Sequence, residues 1–155
     1  MKELADDTHA RLDVVSGLIP INSRRRIETL QQTTPVSGIG TTEAIVHTNI
    51  SASLVNGIRY SIMWTGRITL TVATDIFILR LREDSITGSI LTRTVVKGTT
   101  DASGFLETII VEYISVATTS KTFVASLQRT GGTGTATAQG HAQGPRLFAV
   151  DQVVG

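Results

Sequence analysis

The 155-residue chain has no cysteine, so it can form no disulfide, no thiolate metal site and no cysteine nucleophile. Aromatic residues make up only 5% of it, and they do not interleave with a basic stripe. That excludes the stacking platform on which single-stranded nucleic acids are held. Neither sign of charge dominates: 14 Lys and Arg face 13 Asp and Glu, a formal net charge of +1. This balance argues against a dedicated nucleic-acid or membrane-surface binder. No stretch approaches the roughly 18 uncharged apolar residues that a membrane-spanning helix needs. The first 15 residues carry four acids and two basic residues without the apolar run of a secretory signal, so the expectation is a chain made in, and assembled from, a cytoplasm. What is abundant is β-branched: 24 Thr, 16 Ile and 14 Val give 54 of the 155 positions. Such side chains are stiff at χ1 and suit a pleated, half-buried surface, which excludes an all-helical bundle.

The pattern divides near residue 40. Leu4, Thr8, Leu12 and Val15 recur at helical spacing, with Asp6 and Asp7 early and Gly17 and Pro20 beyond, which predicts a helix over 2–16. Residues 21–40 sustain no period and contain Pro35, Gly38 and Gly40, so residues 1–40 read as a short helix and an extended attachment arm. From residue 41 the period becomes two. Over 57–72, Ile58, Tyr60, Ile62, Trp64, Ile68, Leu70 and Val72 alternate with residues that are mostly Thr, Ser and Arg, as a sheet with one wet face requires. Gly66 interrupts the apolar face, where a bulge or bend is expected. Further runs at 42–51, 75–83, 89–97, 105–117, 121–130, 133–138 and 146–154 are separated by turn residues. About eight strands without crossover helices predict one all-β domain over 41–155, a jelly-roll-like antiparallel sandwich. The run of Gly, Thr and Ala over 130–138 offers little apolar area, so its register needs larger side chains lying across it.

Motifs for chemistry are missing. His9, His47 and His141 have no partner at ligand spacing. The glycines at 131–134 lack the Lys-Ser/Thr ending and the following helix of a phosphate loop. Glu107 and Glu112 lie five apart along one run and so point to opposite faces. The expectation is therefore no enzyme, no cofactor and no metal. Two features suit binding instead. Arg24, Arg25 and Arg26 fit desolvated carboxylates of a partner, and Arg80 and Arg82 alternate with Phe77, Leu79 and Leu81 where a neighbouring subunit's acids can meet them. Thr133, Thr135 and Thr137 join them as candidate subunit contacts at a strand built for close approach.

Three stretches carry a family likeness: Gly-x-x-Tyr-x-Ile-x-Trp-x-Gly at 57–66, Ile-Leu-Arg-Leu-Arg at 78–82, and Gly-Thr-Gly-Thr-x-Thr at 132–137 followed by Pro-Arg-Leu-Phe-Ala-Val-Asp-Gln-Val from Pro145 to Val153. Together they resemble small virion proteins of tailed bacteriophages, of the type infecting actinobacteria. The resemblance covers residues 41–155 well and 1–40 loosely, and its motifs are strand chemistry rather than a site. This chain ends Val153-Val154-Gly155 where a Gly-Pro pair is more usual. The resemblance implies a structural virion component, a homotrimer on the outside of the head. It would bind the major capsid protein through Leu4, Leu12, Val15 and Arg24–Arg26. The alternative is a minor tail or fibre-tip protein contacting other tail proteins or a host-surface glycan. Neither reading involves nucleic acid or membrane insertion.

Overall fold

A computed structural model describes residues 23–98, 104–140 and 146–154, and every strand pairing within them is antiparallel. In chain order the strands are β1 (Ser23–Gln32), β2 (Val36–Ile39), β3 (Ala44–Ile45), β4 (Ile50–Leu54), β5 (Arg59–Leu70) and β6 (Ile76–Glu83). They continue as β7 (Ile90–Val96), β8 (Phe105–Ile114), β9 (Thr119–Gly131), β10 (Ala136–Ala138) and β11 (Arg146–Val154). The described residues contain no helix. The helix expected over 2–16, with Leu4, Leu12 and Val15, lies outside them.

Two sheets face each other. In the first, the order is β1-β11-β5-β8, and β10 with β2 continues along the same side of β5 as β11. In the second, β4 and β3 lie end to end beside β9, followed by β6 and β7. Tyr60, Ile62, Trp64 and Ile68 of β5 meet Phe77, Leu79 and Leu81 of β6, Phe123 and Leu127 of β9 and Phe148 and Val150 of β11 in one buried core. The alternation over 57–72 is thus the inner and outer face of the central strand. The turn before it uses a glycine: Gly57 takes φ +76° in the turn closed by Ile58 N–H donating to Val55 O at 3.2 Å.

Three local expectations come out differently. Residues 23–32 and 36–39, expected in the extended arm, are strands of the first sheet. Leu30 and Glu28 pair with Phe148 and Val150, but a bulge at Ile27 puts Arg26 opposite Asp151. The extra residue shifts the phase of the alternation, which is why no period is visible in the sequence there. The run over 42–51 splits into β3 and β4, with Val46 and His47 buried between them. Gly66 produces no bulge, since pairing of β5 with β8 runs unbroken through Gly66 and Glu107. A side chain there would meet Arg146 Cγ and the Trp64 ring at 2.8 Å, so glycine provides room for two large neighbours.

Candidate interaction surfaces

On the outer face of the second sheet, Arg80 and Arg82 do not wait for a neighbour's acids. Arg82 donates from Nε and Nη2 to the two carboxylate oxygens of Glu43, each at 2.8 Å, and from Nη1 to Gly88 O at 2.8 Å. Ser126 Oγ donates to the same carboxylate, and Arg80 Nη1 stands 3.5 Å from it. Burial pushes the Glu43 carboxyl upward, but the hydrogen bonds from Arg82 and Ser126 and the charge of Arg80 outweigh it and hold the group below its usual range. The forked Arg82–Glu43 contact ties the segment before β3 across β6 and β9. Arg80 is less well served: its Nε and Nη1 have no hydrogen-bond acceptor although the residue is buried. Glu43 is the residue that sequence reasoning missed here, because its partners Arg80, Arg82 and Ser126 all lie far along the chain.

The arginine triplet lies on strand β1, at one lateral edge of the first sheet, with Arg24, Arg25 and Arg26 all exposed. Arg26 Nε donates to Asp151 on β11, where the Asp151 side chain is 8% exposed. The described part of the family likeness from Arg146 to Asp151 therefore has structural tasks. Phe148 and Val150 enter the core, and Asp151 anchors Arg26. Arg146 is completely buried, and it donates from Nη1 to Ala138 O and from Nη2 to Thr34 O at 2.6 Å. It clips the β2 and β10 pair to β11, and burial pushes its guanidinium pKa down. His47 packs edge-on against Phe148, with its ring nitrogens 2.9 Å from Thr48 O and 3.3 Å from Arg146 O. Burial is the first cause that holds His47 below the ordinary imidazole range, and the nearby Arg146 charge adds to it.

The threonine-rich stretch is held by its own chain. Asp75, itself buried, accepts from Thr133 N–H at 3.1 Å and Gly134 N–H at 2.6 Å. Thr135 N–H donates to Thr71 Oγ1 at 2.7 Å, and Thr137 pairs with Thr69. Ala136 and Ala138 are fully buried between β5 and β2, so small residues let this strand tuck in beneath its neighbours. Close approach was the right expectation for this stretch, and within the chain the approaching partners are β5, β2 and the Asp75 carboxylate.

Strand β8 forms the opposite lateral edge of the first sheet. Its inward side chains include Ile109 and Val111, but its outward side is apolar too: Leu106 is 65% exposed, Ile110 44% and Ile114 58%. Glu112 also points outward, 3.9 Å from Arg59, whereas Glu107 is half-buried and burial raises its pKa. The five-residue spacing of the two glutamates thus does place them on opposite faces. Elsewhere, Lys121 bridges Glu83 at 2.6 Å and Asp84 at 3.3 Å, and Tyr113 O–H donates to Glu83 at 3.0 Å. A shallow cavity of about 310 Å³ is lined by residues 37–44, mostly by small side chains and backbone. Among the described residues no three acids or histidines gather as a metal site.

No protein-family model matches the chain, and no curated protein sequence matches it. Solved structures with a similar fold come from varied settings. A chain of the disulfide-linked pili of Bacillus endospore appendages is 12% identical, covers 87% of this chain and 94% of its own, and superposes with a TM-score of 0.40. A CBM4 carbohydrate-binding module is 11% identical over 83% of this chain and 92% of its own, with a TM-score of 0.42. The VP2 protein of infectious bursal disease virus, in a subviral particle, is 13% identical over 86% of this chain and 39% of its own, with a TM-score of 0.45. These distant likenesses among β domains do not select a function.

Proposed function

We propose that the protein is a structural component of a tailed-bacteriophage virion, a trimeric decoration protein on the outside of the head and not an enzyme. The observation that carries this reading is the contrast between interior and edge. The buried Asp75, Arg146 and Asp151 and the part-buried Glu43 and Arg82 are bonded within the chain, with Arg80 held only by the Glu43 charge, whereas both lateral edges of the first sheet remain unpaired among the described residues. Long unpaired edges template pairing with other chains, and proteins usually blunt or cover them. A rigid sandwich that keeps two such edges, each ten residues long, on one sheet suits a part built to be assembled.

The likeness of residues 57–66, 78–82, 132–137 and 145–153 to phage virion proteins supports the setting. The interleaved strand order, β1-β11-β5-β8 over β4-β9-β6-β7, supports reading the domain as a jelly roll. Residues 1–22, with Leu4, Leu12 and Val15, would dock on the major capsid protein, with Arg24 and Arg25 at the base of the docking segment. A ligand that binds only the assembled shell stabilises it by mass action. The test is deletion of residues 1–22, which leaves all described strands intact. The truncated domain is expected to stay folded and to lose binding to undecorated heads. Binding that survives the deletion overturns head docking through this segment. Counting copies per particle separates this reading from a tail-tip role: on the order of hundreds places the chain on the head, and about a dozen places it on the tail.

A further inference from the structure

We infer that copies of this chain join head to tail, the β8 edge of one copy pairing antiparallel with the β1 edge of the next to form a closed ring. The inference deepens the assembly reading above and rests on it in taking the partner to be a second copy. The two edges differ in charge. β1 carries Arg24, Arg25 and Arg26 against Glu28, whereas β8 carries Glu107 and Glu112 and no basic residue. A two-fold contact of β8 with β8 would therefore gather four glutamates, and β1 with β1 six arginines. A contact of β8 with β1 brings opposite signs together.

Strand direction and register agree with this choice. Each neighbour in the order β1-β11-β5-β8 is antiparallel, so β1 and β8 of one copy run in opposite senses. Rotation about an axis along the strands keeps those senses, and β8 then meets the next copy's β1 antiparallel. Such a rotation adds no translation along the strands if the ring is to close. Residues level with each other across one sheet therefore meet across the contact. One level runs Arg26, Asp151, Ser61, Glu112, and another runs Thr29, Ala149, Met63, Ile110. In the ring Glu112 of one copy faces Arg26 of the next, on the outer face. Ile110 faces Thr29, and Thr108 faces Gln31. The exposed Ile110 and Ile114 are covered in part by the stems of Arg26 and Arg24, which bury apolar length while keeping their charged heads at the rim.

The absence of native cysteine makes the register directly testable. Thr29→Cys and Ile110→Cys alter two exposed side chains in the full-length protein, and retained far-UV circular dichroism checks their folding. Each variant alone, and an equal mixture, is treated with a short bis-maleimide and separated on a denaturing gel. The expected result is a cross-linked dimer in the mixture and none with either single variant. The double variant should close into one discrete covalent oligomer. A dimer from Ile110→Cys alone would establish a two-fold β8 contact and overturn the inference. So would an unlimited ladder from the double variant, or no cross-link in the mixture. The outcome is separable from the virion reading: a chain found on particles but failing to cross-link sinks only the ring. A chain that closes into rings but is missing from particles sinks only the virion role.

Discussion

At the scale of single residues, the buried charges decide more than the exposed ones. Arg146 has no exposure, and the two backbone carbonyls it satisfies belong to β10 and to the turn before β2. Replacing it by alanine leaves Ala138 O and Thr34 O without donors and opens a void beside Trp64. Unsatisfied buried groups cost about 1–3 kcal/mol each, so Arg146→Ala should destabilise the domain by roughly 2–5 kcal/mol in urea unfolding. Gly66→Ala acts at the same place from the opposite side. Its methyl would overlap Arg146 Cγ and the Trp64 ring, and overpacking of this kind costs about 1–3 kcal/mol. A Gly66→Ala protein as stable as the parent would show that β5 can shift to absorb the overlap. Glu43 provides a third case. Its removal leaves Arg80 and Arg82 side by side on the outer face of β6 without their shared counter-charge; breaking a fully buried pair costs about 3–5 kcal/mol, and this part-buried one should cost less, about 1–3 kcal/mol in urea unfolding. Glu43 and Arg146 also show what the sequence could not display. Arg146 was visible within a motif but not as a buried clip, and Glu43 sat in a run assigned only by its alternation. Neither residue's partner is local, so only the fold brings the groups together.

At the scale of elements, legibility followed apolar contrast. Strands β5, β6, β7, β9 and β11 were readable because one face is apolar and the other polar, and their observed bounds fall inside or within a few residues of the runs that marked them. Strand β8 was readable as a strand, but the consequence of its second apolar side was not, since alternation alone does not tell which edge lies unpaired. Strand β10 lies within the run expected over 133–138 although it has only Ala and Thr to show, whereas β1 was hidden by its bulge at Ile27. This bears on how much of the N-terminal region is detachable. Removing residues 1–22 leaves β1 complete, whereas removing residues 1–35 strips β1 from β11. Ile27 and Leu30 would then leave the core, and Asp151 would lose Arg26. The shorter deletion should unfold at nearly the parent urea midpoint. The longer one should be destabilised by several kcal/mol, given roughly 1.5–3 kcal/mol for each large apolar side chain removed from the interior. Equal midpoints for the two deletions would mean that β1 is dispensable, and that the arm extends through it after all.

At the scale of the whole molecule, the titrating groups set a direction for pH. His47 is held below its ordinary value of 6.5, chiefly by burial, so the unfolded chain takes up a proton that the folded chain resists. Stability is therefore flat above pH 6.5 on this account and falls as pH drops below it. Glu43 and Glu83 add to the fall at lower pH. Both are held below 4.5 in the folded state, Glu43 by hydrogen bonds and charge that overcome its burial, and Glu83 first by its bond from Lys121. Their contribution is present above pH 4.5 and is lost as pH descends through their folded values. Glu107 works against them, because burial raises its pKa. It favours the folded state fully below pH 4.5 and loses that contribution as pH rises through its raised value. Two carboxylates and a histidine pull one way and a single carboxylate the other. The urea midpoint should thus fall from pH 7 to pH 5 through His47, and fall further towards pH 4 and below. His47→Gln keeps a polar side chain at the site without the titration. Its midpoint should be flatter between pH 7 and pH 5 while keeping the steeper loss at lower pH. If the parent and His47→Gln lose stability equally over pH 7 to 5, His47 is not the group responsible, and the buried imidazole must be free to reach a new acceptor when it is charged.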